Sequence, residues 1–126
     1  MADYLITGGC GFIGTHLANN LIEDGHRVRI LDNLSTGNRL TVNDECELVV
    51  GDMMNSDLVR QCMKGMDGCF HLAAATSTKQ HTSTSVDAHQ SNLGGSINVL
   101  DAASIGIHRW FMLLPRPFMV TMQYRA

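Results

Sequence analysis

This chain of 126 residues lacks long apolar runs, a strong charge of either sign and the common metal-binding motifs. No apolar run approaches the roughly 20 residues that a membrane-spanning helix needs, so we expect no membrane association. A net charge of −3 disfavours a broad basic surface, so we expect no nucleic acid partner. Because no basic leader precedes the first apolar run, we predict a cytoplasmic protein without a secretory signal.

Closely spaced cysteine and histidine pairs are also missing. The four cysteines are Cys10, Cys46, Cys62 and Cys69. They include no C-x-x-C pair, so we expect reduced thiols, as is usual in the cytoplasm. The six histidines form no H-x-x-H or H-E-x-x-H pattern, and we predict no metal site.

Short apolar runs alternate with segments of helical periodicity through the first hundred residues. Strands are predicted at 4–7, 28–31, 47–50 and 69–72, with a fifth beginning at 108 or 109. Helices are predicted from 12 to near Gly25, at 56–63 with Ser56 as N-cap, and from 93 to near Gly106. The polar stretch 76–85 predicts a loop. This alternation predicts an α/β fold, a Rossmann-type doubly wound parallel sheet truncated after about the fifth strand.

A glycine-rich turn follows the first predicted strand and opens the first helix. Gly8, Gly11 and Gly14 would permit a tight turn, the approach of a pyrophosphate, and close packing of helix on strand. Asp32 ends the second strand, where a carboxylate binds a ribose diol and repels a 2′-phosphate, so NAD is favoured over NADP. Arg39, in the loop that follows, is the one residue whose charge would weaken this preference for NAD over NADP. A turn without a ligand and a solvated carboxylate are the alternatives.

Five stretches occur in a characteristic order and spacing: TGGCGFIG at 7–14, LDNLSTGN at 31–38, GDMMN at 51–55, FHLAAATS at 70–77 and NLGGSINVLDAA at 92–103. Together they resemble the NAD-dependent epimerase/dehydratase family of the extended short-chain dehydrogenases/reductases. The glycine spacing marks the superfamily, and the DNLSTG loop is typical of UDP-glucose 4-epimerase-like members. The resemblance covers roughly residues 3–111.

The resemblance implies NAD as cofactor and a role for each matching residue. The pyrophosphate contacts would be Gly8, Gly11, Phe12 and Ile13, in the same turn as Gly14. The adenosine ribose would be held by Asp32, Asn33, Ser35, Thr36 and Gly37. The adenine would be faced by Asp52, which accepts from its amino group, and Met53. The middle of the cofactor would be lined by Leu72, Ala73 and Ala74, with Asn92 beside the active site. Helix–strand packing is the alternative role for the two alanines.

The resemblance also implies a reaction and partners. Family members transiently oxidise a nucleotide sugar, such as a UDP-sugar, with NAD, and the tyrosine of a Tyr-x-x-x-Lys motif is the base. Because this sequence contains no Tyr-x-x-x-Lys, we predict no catalytic residues and an NAD-binding half that is inactive alone. Family homodimers use the helix after strand four and the next one; only the first is present, so we do not expect this dimer. A non-catalytic dinucleotide-binding or interaction module and an NAD(P)-dependent reductase of the same superfamily stay open as alternatives.

The last fifteen residues are unsuited to a buried parallel strand. Pro115 and Pro117 would remove two hydrogen-bond donors, and Arg116 places a charge between them. Permitted codons for this segment, read from the third base of the Phe111 codon, give YASSAAVYGDNAVP, which the epimerase family would place after HRWF. We therefore predict an NAD-binding part-domain at 1–111, a frame-shifted tail at 112–126 and no substrate domain. A divergent C-terminal extension is the alternative.

Overall fold

The computed structural model describes residues 1–34, 39–72, 82–106, 109–113 and 121–125, with the backbone alone for 39, 82–92, 106, 109–113 and 121–125. The strands are β1 (Asp3–Thr7), β2 (Arg27–Asp32), β3 (Glu47–Val50), β4 (Gly68–His71), β5 (Arg109–Leu113) and β6 (Thr121–Arg125). The helices are α1 (Phe12–Glu23), α2 (Ser56–Met63) and α3 (Thr82–Gly106). A short 3-10 turn, Arg39–Thr41, lies between β2 and β3.

The strands form one sheet in the order β3-β2-β1-β4-β5-β6. Each strand from β1 to β5 is parallel to its neighbours among these five. The chain extends the sheet on one side of β1 through β2 and β3, and then returns to the other side through β4 and β5. This reversal confirms the predicted doubly wound arrangement. In such sheets, ligands bind beyond the carboxyl ends of the strands at the reversal, which here are β1 and β4.

The sheet is covered on both faces because successive strand residues point to opposite sides. Leu5 lies in a buried cluster with α2 and α3, whereas the next residue, Ile6, packs with α1. The first cluster contains Leu5, Leu31, Met53, Val59, Cys62, Met63, Cys69, Val99, Ala102 and Ala103. The second contains Ile6, Cys10, Ala18, Val28 and Ile30. Packing on both faces fixes the strands, and with them the loops at their carboxyl ends.

The starts of two helices differ from the sequence predictions. The N-cap of α2 is Asn55 instead of Ser56, because the Asn55 side chain accepts the Leu58 N–H at 3.2 Å. α3 begins at Thr82, so residues 82–85, predicted as part of a polar loop, are helical. Serine and threonine are weak helix formers and not helix breakers, so the packing of the rest of the helix outweighs their preference. Residues 76–81 of the predicted loop lie outside the described residues.

The carboxyl-terminal part of the sheet contains one strand that the sequence did not predict. β5 begins at Arg109, as expected, and pairs parallel with β4. It continues to Leu113, past the predicted domain limit at 111. β6 then pairs antiparallel with β5, with Thr121 opposite Leu113, and so occupies an edge that would otherwise be open. Pro115 and Pro117 lie outside the described residues, and the frame-shifted origin of the tail stays a prediction.

The four cysteines are free thiols, as the sequence predicted. Cys69 has no exposed surface, and burial raises the pKa of its thiol to about 12. In the described part of the chain, no three His, Cys, Asp or Glu residues lie close enough together to hold a metal ion. None of the described helices combines the length and the apolar character that crossing a bilayer requires.

Candidate functional site

The turn between β1 and α1 has a backbone shape that depends on glycine. Gly8 has a φ of +74°, in the left-handed region, and its N–H donates to the Leu31 carbonyl oxygen at 2.8 Å. Gly11 is the N-cap of α1 and has no side chain to bond the N–H groups of the first turn. These groups are therefore uncapped by a side chain, which is the arrangement in which a helix start binds an anion.

Close packing of α1 on the glycine-rich turn, and of that turn on β2, requires glycine at two further positions. A Cβ atom at Gly14 would overlap the Gly8 carbonyl oxygen and the Gly9 backbone. A Cβ atom at Gly9 would lie 2.6 Å from the Ile30 side chain. Gly14 lies where the three-residue spacing predicted close packing. Gly9 was not predicted, because its contact is with a residue on another strand that no local pattern connects to it.

The Asp32 carboxylate joins the glycine-rich turn to the loop after β2. Its Oδ2 accepts the Cys10 N–H at 2.9 Å, and its Oδ1 accepts the Leu34 N–H at 2.7 Å. Leu34 has a φ of +62°, which is uncommon for a residue other than glycine. Asp32 is only 8% exposed, yet each carboxylate oxygen has a second lone pair for a hydroxyl donor. A ribose diol bound there would therefore lie directly beside the glycine-rich turn.

The loop after β3 lies next to Asp32. The Gly51 N–H donates to the Asp32 carbonyl oxygen at 3.0 Å. Asp52 is exposed, and its Oδ1 accepts the Met54 N–H at 2.9 Å. The Met53 side chain is buried in the cluster beneath α2 and α3. Of the two residues predicted to face an adenine, Asp52 is thus the one with an exposed side chain.

His71 connects three elements through buried hydrogen bonds. Its Nδ1 lies 2.6 Å from Thr7 Oγ1, and its Nε2 lies 3.0 Å from Ser96 Oγ on α3. The Leu72 N–H donates to the Thr7 carbonyl oxygen at 3.0 Å and to its hydroxyl oxygen at 3.1 Å. Burial lowers the pKa of His71 to about 4, so the ring is neutral at pH 7 and donates through one nitrogen only. This network holds the carboxyl ends of β1 and β4 together.

Part of the predicted site is brought together at one edge of the sheet. The carboxyl ends of β1 to β4 and the loops that follow them carry Gly8, Gly11, Asp32, Asn33, Asp52 and Leu72. Phe12 and Ile13, at the start of α1, are 82% and 51% exposed. The predicted residues outside the described part of the chain are Ser35, Thr36, Gly37, Ala73 and Ala74. Asn92 lies within α3 and Arg39 within the 3-10 turn, and the structure describes the backbone of each.

Several polar residues that shape this site were missed by the sequence reasoning. His71 was considered only as a metal ligand, and its hydrogen bonds join residues 64 and 25 positions apart. Asn98 of α3 bonds the loop after β3 across 45 positions. The available signal was a polar residue inside an apolar segment, as in FHLAA and INVL. A buried polar group needs a partner, but the sequence does not say which one.

Comparison with known proteins assigns this arrangement to a family. The model of the "NAD dependent epimerase/dehydratase family" matches residues 4–113. The chain belongs to this family. One relative is the UDP-glucose 4-epimerase from Streptomyces lividans. It is 34% identical to this chain over 102 residues, which are 79% of this chain and 31% of that protein. The match confirms the predicted family and its dependence on NAD.

Two solved structures similar to this member of the epimerase/dehydratase family contain NAD. The UDP-glucose 4-epimerase of Thermus thermophilus, in complex with NAD, is 33% identical with a TM-score of 0.73 over 80% of this chain and 33% of that one. The Bordetella bronchiseptica enzyme WbmG, in complex with NAD and UDP, is 27% identical with a TM-score of 0.78 over 87% of this chain and 36% of that one. The chain spans about a third of the length of the curated relatives it matches.

Proposed function

We propose that this chain is the NAD-binding part of an epimerase or dehydratase that acts on a nucleotide sugar such as a UDP-sugar. The observation that carries the proposal is the Asp32 carboxylate, which is hydrogen-bonded to the glycine-rich turn and to the loop after β2. This bridge places an acceptor for a ribose diol beside a helix start that suits a diphosphate. The similar structures in complex with NAD, or with NAD and UDP, support NAD as the cofactor and a nucleotide sugar as the substrate class.

The residues present fit the adenosine half of NAD. The N–H groups at the start of α1 would bind the pyrophosphate, because Gly11 leaves no Cβ in its path. Asp32 would bind the ribose, and Asp52 would accept from the adenine amino group. Phe12 and Ile13 would cover the diphosphate with apolar surface and exclude water from it. Bound NAD supplies a hydride acceptor for the sugar, and this chain supplies the binding and orientation of the cofactor.

Titration calorimetry on the full chain tests this proposal. We expect heat of binding with NAD and with ADP-ribose, and at least about tenfold weaker binding of NADP, since its 2′-phosphate would lie against Asp32. Asp32→Asn should lower the affinity for NAD about tenfold or more, because hydrogen bonds to a charged group are lost. Asp44→Asn, an exposed carboxylate in the loop before β3, is the matched control and should bind like the parent. Equal affinity for NAD and NADP, or no binding of either, would contradict the proposal.

We propose further that residues 112–126 are read in a shifted frame. The support is the string YASSAAVYGDNAVP, which follows from permitted codons when one T is added after the Phe111 codon. Sequencing the gene through this point is the test. A gene that encodes the present tail without any shift, and no Tyr-x-x-x-Lys further on, would contradict this reading. Such a gene would favour the alternative of a dinucleotide-binding module without catalytic residues, since the sequence contains no Tyr-x-x-x-Lys.

A further inference from the structure

Asn98 makes an unusual pair of contacts from the middle of α3. Its Nδ2 donates to the Met53 carbonyl oxygen at 3.0 Å and to the Met54 carbonyl oxygen at 3.1 Å. One side-chain amide thus uses both of its N–H groups on two successive carbonyl groups of the loop after β3. Asn98 is half-buried, and the residues on either side of it in sequence are apolar. The contact therefore fixes the loop against the helix at one defined point.

The same loop residue is also bonded to Asp52. The Met54 N–H donates to Asp52 Oδ1, so Met54 is held by Asn98 through its carbonyl oxygen and by Asp52 through its N–H. The Asn55 N–H in turn donates to the Asp52 carbonyl oxygen at 3.0 Å. A displacement of the Met54 peptide would therefore move the Asp52 carboxylate. Asn98 and Asp52 are connected through a single residue, although they do not touch each other.

Two glycines of α3 bring the loop close enough for this contact. A Cβ atom at Gly94 would meet the end of the Met54 side chain at 2.8 Å, and one at Gly95 would overlap the Met53 side chain. The glycine pair lies one turn of helix before Asn98. Close packing of both methionines on α3 and the two hydrogen bonds of Asn98 thus act on the same short loop.

We propose that Asn98 is a positioning residue for adenine recognition, which sets the place at which Asp52 accepts a hydrogen bond from the adenine amino group. The inference rests on the proposed NAD site and deepens it. In this proposal the Asn98 side chain binds the loop and not the cofactor. Its effect passes through the Met53 and Met54 peptides to the Asp52 carboxylate, so it should act on recognition of the base and not on binding of the diphosphate.

The test compares NAD with nicotinamide hypoxanthine dinucleotide, in which a carbonyl oxygen replaces the adenine amino group. In the parent chain we expect NAD to bind about tenfold more tightly, the usual effect of one hydrogen bond to a charged group. Asn98→Ala and Asn98→Asp should each reduce this ratio to about two or less, because neither side chain can donate to the two carbonyl groups. Asp52→Asn should reduce it as well, and adding Asn98→Ala to Asp52→Asn should reduce it no further.

A structural role alone would weaken both dinucleotides equally and leave the ratio unchanged, and that result overturns the proposal. Asp101→Asn is the control, since it removes the charge that pairs with Arg60 (3.3 Å) on the same helix and lies outside the loop, and it should keep the parent ratio. If Asn98→Ala, Asn98→Asp and Asn98→Ser all fail to fold, Asn98 is a folding residue and the proposal is likewise overturned. If the parent chain binds neither dinucleotide, the proposed function itself fails, which is a distinct outcome.

Discussion

At the scale of single residues, His71 illustrates how burial controls protonation. It is 3% exposed, and burial lowers the pKa of its ring to about 4. A histidine in an unfolded chain has a pKa of about 6.5. Between these values the unfolded chain binds a proton that the folded chain does not. The contribution of His71 to folding stability is therefore at its full value above about pH 6.5 and declines as the pH falls towards 4.

Replacing His71 should remove this part of the pH dependence. In the parent, one differential proton reduces the free energy of unfolding by up to about 1.4 kcal/mol per pH unit over this interval. His71→Gln should have a smaller slope and also lower stability at pH 7, since its carboxamide does not reproduce the ring geometry that bonds Thr7 and Ser96. Urea unfolding between pH 4 and 7 measures both effects. His16→Gln, exposed on α1, should keep the parent slope; equal slopes in the parent and His71→Gln would contradict the prediction.

At the scale of elements, the neighbouring glycines of α3 differ in what they pack against. Gly95 is buried, and a Cβ atom there would overlap the Met53 side chain along its length in the core. Gly94 meets only the end of the flexible and 45% exposed Met54 side chain. We expect Gly95→Ala to destabilise the chain by about 1–3 kcal/mol through overpacking.

Gly94→Ala is the matched comparison for that substitution. It should be neutral, or stabilising by up to about 1 kcal/mol, because alanine is the better helix former and Met54 can move aside. Thermal or urea unfolding of both variants measures the difference. Similar effects of the two substitutions would show that Met53 is not the constraint on the approach of α3.

The elements that could be predicted are those whose structure is determined by neighbouring residues in the sequence. The apolar runs of β1 to β4 and the glycine turn before α1 are each recognisable from a short stretch of sequence. The start of α3 could not be predicted, because Thr82 and its neighbours become helical only through packing of the rest of the helix. The same limit applies to the site. Gly8, Gly11 and Asp32 follow from spacing, whereas the bonds of Cys10 to Asp32 and of Asn98 to Met53 depend on tertiary contacts between distant segments.

At the scale of the whole molecule, the cofactor site and the tail lie on connected parts of one sheet. The site is built on β1 to β4, and β4 is supported on its other side by β5. β5 is in turn paired with β6, a strand that the sequence did not predict. Antiparallel pairing of β6 satisfies one edge of β5. The support of β4, and through it the position of Leu72, thus depends on β5 and β6, which extend into the segment that we propose to be frame-shifted.

Replacing residues 112–125 should therefore strengthen the binding of NAD, although these residues follow β4 and lie outside the predicted cofactor site. A chain in which residues 112–125 are exchanged for YASSAAVYGDNAVP carries next to β4 the sequence that the proposed reading frame would give. We expect millimolar NAD to raise its thermal midpoint by at least about 4 °C more than it raises that of the parent, since 1 kcal/mol of added binding free energy produces a shift of this size. A chain with the same fourteen residues in scrambled order is the control and should respond like the parent. An equal response of all three chains would show that the β5 edge does not influence the NAD site, and that the present tail supports the sheet as well as the family sequence does.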